Sequence, residues 1–172
     1  FIPNLLPEDA VNLSTTETIS ILKKYLGEDI YFNAISVQNT SIPYSELPEI
    51  LKSPVKAQTD GEWLKTTNMV GINVRTVQTF WNVVKYALTL PKSQDSIHFL
   101  PIWEPGVVSS LYGMASWNIN PEFFAPDLAS LLPHLDTVEK QLKAVINLLH
   151  ALGKSVGMDV IPHTDRFSEM VL

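Results

Sequence analysis

Apolar and polar positions alternate with two different periods along this chain, and the change from one to the other marks its elements. Ser14 followed by Glu17 has capping-box spacing, in which each side chain satisfies an orphan backbone N–H. Ile19, Leu22 and Leu26 then recur on one face, and Gly27 supplies a C-terminal stop, so a helix is predicted here. Residues 30–37 alternate and are rich in β-formers, which predicts a strand. Residues 39–43 read as a turn, 45–51 as a short helix and 54–61 as a polar surface loop.

From residue 69 the pattern becomes regular. Residues 69–74 predict a short strand ending at Arg75. Residues 79–90 carry Phe80, Val83, Val84, Ala87 and Leu88 at helical spacing, and Pro91 and Asp95 bracket a turn. Residues 96–102 predict a second strand, followed by a long connection over 103–136. Asp136 and Glu139 frame the start of a helix whose stripe is Val138, Leu142, Val145, Ile146, Leu149 and Leu152. Gly153 caps it, and 155–161 predict a third, buried strand. Strand, helix, strand, helix, strand is the signature of an α/β fold with a parallel sheet and covering helices.

Composition narrows the function. The 172 residues are 45% apolar and 17% charged, and no apolar run reaches the ~20 residues of a membrane-spanning helix. Twelve scattered Lys and Arg in a chain of net charge -6 argue against a nucleic-acid partner, which needs clustered cations. The absence of Cys removes disulfides, thiolate catalysis and thiolate metal sites, and fits a cytoplasmic location. No basic n-region opens the chain, although it begins at Phe1 rather than Met. No Gly-x-Gly-x-x-Gly follows a strand and no metal-ligand spacing is present, so neither cofactor nor metal is expected.

Ligands of a parallel α/β sheet bind beyond the C-terminal ends of its strands. Arg75 follows the first strand. Trp103 and Glu104 follow the second, with Tyr112, Ser116 and Trp117 in the loop beyond. Asp159 lies near the end of the third, with His163 and Arg166 after it. Aromatic faces that cover sugar C–H patches, mixed with charged groups for hydroxyls, suit a carbohydrate. As alternatives, Arg75 can pair with Asp159 in a buried ion pair, Tyr112 and Trp117 can anchor their loop, and His134 and His150 read as surface or packing residues.

Four pieces in order, "MVGINVR", "IHFLPIWEPG", "SLYGMASWNINPEFF" and "LLHALGKSVGMDVIPHT", resemble the opening of glycoside hydrolase family 13, the α-amylase family. The run from "INVRT" through "NINPEFF" also resembles the glucosylglycerol hydrolases of cyanobacteria within that group. The resemblance implies a (β/α)8 TIM barrel, of which residues 68–172 are the first three units and 1–67 an N-terminal α/β extension. It implies that Asp159 organises the sugar site, that His163 contacts the sugar, and that Tyr112 stacks on it; Trp117, Glu104 and Arg75 are further site candidates from their places after the strands. The family's Asn before that His, often a calcium ligand, is Pro162 here, so no calcium is expected at that position. A barrel needs about 250 residues, and the family's nucleophile and acid/base follow its fourth and fifth strands. The expectation is therefore a segment with no catalytic residue of its own, from an enzyme acting on an α-glucoside or oligosaccharide and completed by the remainder of the barrel. Hydrolysis and transfer both stay open, as does a non-catalytic sugar-binding or degenerate barrel module.

Overall fold

A computed structural model describes residues 7–36, 43–58, 60–106 and 112–160. In chain order they form α1 (Pro7–Ala10), α2 (Thr15–Leu26), α3 (Glu28–Ile35), β1 (Met69–Ile72), α4 (Val74–Val77), α5 (Phe80–Ala87), β2 (Ser96–Phe99), β3 (Trp103–Pro105), β4 (Met114–Ile119), α6 (Pro126–Leu131), α7 (Val138–Ala151) and β5 (Ser155–Met158). The strands β1, β2 and β5 make a parallel sheet in the spatial order β1-β2-β5. Its register pairs Met69 with Ser96 and Ser96 with Ser155, and runs evenly to Ile72, Phe99 and Met158. The strands β3 and β4 form a separate antiparallel pair.

The fold is thus α/β, as the pattern predicts, with a mixed content of helix and strand. Among the described residues the parallel sheet is open, with three strands, and no closed barrel is formed.

The sheet's period of two decides which side chains enter the core. Ile72, Ile97 and Phe99 are buried, with Val70, Val156 and Met158 packed alongside them. Helices α5 and α7 cover this face. Phe80 of α5 packs edge-on against Phe99, centroids 5.9 Å apart, and against Phe123 at 5.4 Å. The other row holds Met69, Gly71, Ser96, His98, Leu100, Ser155, Gly157 and Asp159. Met69 and Gly71 in it are exposed, and His98, Leu100, Gly157 and Asp159 partly so.

The strand expected over 30–37 is a helix, α3. Gly27, at φ 86°, ends α2 and reverses the chain, and Glu28 and Asp29 follow in the first turn of α3, where the helix dipole favours acids. Tyr31, Ala34 and Ile35 are buried at helical spacing, while Phe32 is exposed. Local β-propensity lost to the apolar stripe that docks on α7. The described N-terminal segment carries no strand, so the expected α/β extension is helical as far as it is described. The short helix expected over 45–51 is two 3-10 turns, Tyr44–Glu46 and Glu49–Leu51.

This segment is fastened to the sheet layer by polar bonds as well as by apolar contact. Asn147 Nδ2 donates to Ala34 O at 3.2 Å, and the rings of His134 and His150 bond Ile35 O and Leu51 O, each at 2.8 Å. Buried Lys85 donates to Leu13 O at 2.7 Å, and burial pulls its ammonium below the usual lysine range. Leu22, Tyr31, Ile35 and Leu51 share one core with the sheet.

At the N-terminal end of the sheet, Asp95 binds all three strands together. Its carboxylate accepts from Thr67 Oγ1 at 2.8 Å and Asn68 N at 2.9 Å, ahead of β1, and its carbonyl accepts from Ser155 N at 2.9 Å. The Asn68 and Thr67 bonds hold its carboxyl below the ordinary value. Lys154 Nζ adds bonds to Pro91 O and Gln94 O. Asp95→Ala is expected to lower unfolding free energy by about 1–2 kcal/mol, read from urea denaturation.

The half-buried His150 ring has its pKa lowered from 6.5, chiefly by desolvation. The unfolded chain therefore binds this proton more readily than the fold. The stability contributed by the neutral ring is complete above pH 6.5 and is lost as pH falls from there toward the lower folded value. Melting temperatures across that window should show a shallower decline for His150→Gln than for the native chain.

Candidate functional site

The C-terminal end of β2 sets the site. Ile97 and Phe99 point into the helical layer, so His98 between them emerges on the opposite face. In register, His98 stands between Gly71 of β1 and Gly157 of β5. Neither neighbour has a side chain to compete for that face. At Gly157 this is decisive, because a Cβ there would lie 2.9 Å from His98 Nδ1. The ring instead lies across β5 and brings Nε2 within 2.5 Å of Asp159 Oδ1.

Asp159 is held at three points. Its N–H donates to Phe99 O at 3.0 Å, which extends the β2–β5 ladder by one rung. Its carbonyl accepts the Trp103 indole N–H at 3.2 Å. Its carboxylate takes the His98 bond. The side chain remains 33% exposed.

The antiparallel pair supplies the aromatic wall. Trp103 and Trp117 meet edge-on, with centroids 5.3 Å apart and planes at 74°. Trp103 is half-buried and Trp117 is 45% exposed. Asp159, His98, Trp103 and Trp117 therefore form one connected cluster at the C-terminal end of the sheet.

The other candidates are distributed differently. Glu104 is the next residue after Trp103 and faces the other side of the ribbon. There it accepts from Ser116 Oγ at 2.5 Å and Asn118 Nδ2 at 3.5 Å. It lines a cleft of about 470 Å³ with Asn118, Ile119, Phe124, Asp136 and Glu139, at the start of α7. The common rim expected for Arg75, Glu104 and Asp159 is thus divided by the β3–β4 ribbon. Arg75 sits in α4 rather than at a strand end, its N–H bonded to Asn73 Oδ1 at 3.0 Å. Among the described residues, the side chain that meets the Asp159 carboxylate is His98; the alternative pairing of Asp159 with Arg75 is not formed there. Tyr112 is exposed and lies beyond the Pro105–Met114 rung, at the opposite end of the ribbon from the Trp103–Ile119 rung. His163, Pro162 and Arg166 lie outside the described residues.

His98 was missed in the sequence because a single His inside a short apolar strand reads as part of that strand. The signal was available in two places. Strand alternation in "IHF" turns the His away from the core, and "SVGM" places a glycine beside it once the two strands pair.

No protein-family model, curated protein or solved structure matches the chain. Among the described residues, no group of three His, Cys, Asp or Glu side chains is placed to hold a metal ion, and no helix is long and apolar enough to cross a membrane.

Trp103→Phe keeps a ring against Trp117 but deletes the N–H that holds the Asp159 carbonyl. A loss of about 0.5–1.5 kcal/mol is expected by chemical denaturation, with no loss of secondary structure by circular dichroism.

Proposed function

We propose that this segment supplies part of the sugar subsite of a retaining α-glycosidase whose catalytic domain is a (β/α)8 barrel. The observation that carries the reading is the Asp159 carboxylate, fixed through backbone and side chain beside the Trp103–Trp117 pair. A sugar ring offers C–H patches to an aromatic face and hydroxyl donors to a carboxylate, and the cluster has both within one rim. Asp159 accepts from a sugar hydroxyl and Trp117 offers its exposed ring; the family resemblance would add His163 as a further sugar contact.

The barrel reading draws support from the sheet. Three parallel strands lie side by side in chain order, helices cover one face, and the other face carries exposed Met69 and Gly71. Parallel sheets are ordinarily covered on both faces. In a barrel that second face turns inward, and the C-terminal strand ends that carry Asp159 and Trp103 become the mouth. The nucleophile and acid/base belong to the remainder of the barrel in the parent enzyme, and the substrate is an α-glucoside or oligosaccharide.

Titration of the chain with maltotriose, followed by tryptophan fluorescence, tests the subsite. A saturable change is expected, and Trp117→Ala should abolish it; no saturable change up to about 50 mM, a free energy near 2 kcal/mol, would rule the subsite out. In the parent enzyme, Asp159→Asn is expected to lower kcat/KM at least about tenfold, or about 1.4 kcal/mol of transition-state binding.

A further inference from the structure

We infer that His98 is a positioning residue for Asp159, and that Gly157 is glycine so that His98 can act as one. This deepens the sugar-subsite reading and rests on it for its consequence in binding, but the geometry of the pair stands independently. The imidazole approaches Asp159 through Nε2, at 2.5 Å from Oδ1. A carboxylate only accepts, so Nε2 must carry the proton in the neutral ring as well as in the cation. The other ring nitrogen, Nδ1, lies against the Cα of Gly157, where there is no space for a methyl group.

The consequence for Asp159 is specific. One oxygen is committed to His98. Among the described residues no second hydrogen bond is made to the carboxylate side chain. The bond fixes the carboxylate rotamer and leaves the second oxygen as the acceptor for a hydroxyl of the ligand. A carboxylate without this partner would rotate, and it would lose ordering entropy on binding that the native one has already given up.

The two glycines beside His98 make a built-in control. A Cβ at Gly157 meets the ring at 2.9 Å, which forces the ring to move. A Cβ at Gly71 meets only Leu100 Cδ1, at 3.6 Å, an ordinary contact. Alanine should therefore break the pair on one side of His98 and leave it intact on the other.

Long-range proton–nitrogen correlation spectra of the imidazoles in the full chain, recorded at a pH where His98 is neutral, test this. The native chain and Gly71→Ala should show the Nε2–H tautomer at His98. Gly157→Ala and Asp159→Ala should lose that bias. A bare Nε2 in the native chain overturns the inference, whether or not any variant folds, as does a Gly157→Ala spectrum identical to the native one. Maltotriose titration supplies the second arm. His98→Gln, whose amide N–H can reach toward the place of Nε2, should bind more tightly than His98→Leu, which should be at least about fivefold weaker than native. Equal binding by the two variants and the native chain overturns the positioning role. A native chain with the Nε2–H tautomer and no maltotriose binding removes the sugar subsite but keeps the His98–Asp159 pair. Binding with the wrong tautomer does the reverse.

Discussion

The structure depends on β2 being hydrogen-bonded on both sides. As the central strand it must satisfy two ladders, and its side chains must alternate between two different surroundings. Ile97 and Phe99 enter the helical layer, where burial of each large apolar side chain contributes about 1.5–3 kcal/mol. That commitment leaves His98 no choice of face. The pairing with β5 then fixes where Asp159 stands relative to the ring. A one-residue slip of either strand would exchange the two rows and dissolve the site along with the core.

The two ends of the sheet have different tasks. At the N-terminal end, Asp95, Thr67, Asn68, Lys154 and Ser155 tie the strands together through a dense set of bonds whose partners are all internal. At the C-terminal end, the side chains are partly exposed, and a carboxylate and two indoles share one rim. This division is the one expected of parallel α/β sheets, where the strand ends that open toward ligands are the C-terminal ones. The N-terminal segment is part of the same arrangement: α3 docks on α7, the helix that packs on β5.

Elements with a strong period were legible in the sequence. The capping box of Ser14 and Glu17 forms as its spacing predicts, and the Val138–Leu152 stripe is the long helix against which the sheet packs. The parallel sheet followed from the regular alternation after residue 69. Residues 30–37 misled because Ile30, Tyr31 and Phe32 are β-formers locally, whereas burial follows the helical spacing of Tyr31, Ala34 and Ile35. The long connection concealed the β3–β4 ribbon, since β3 is only three residues long and carries too little alternation to detect, and a register shift lies between Trp103 and Pro105. Asp159 was legible from its position at a strand end. Its partner was not, because the His98 pairing is made across 61 residues and depends on the register of β2 and β5 and on the missing side chain of Gly157. The split between Trp103 and Glu104 was likewise hidden, since two adjacent residues after a strand share a rim unless they are themselves in a strand.

The proposed sugar subsite concentrates ligand recognition where Asp159, His98, Trp103 and Trp117 meet. Backbone and indole amide shifts of the chain, mapped during addition of maltotriose, locate recognition directly. The largest changes are expected on the indole N–H groups of Trp103 and Trp117 and on the backbone amide of Asp159. Changes centred instead on Asn118, Glu139 and the other residues around Glu104 at the start of α7 would contradict that placement.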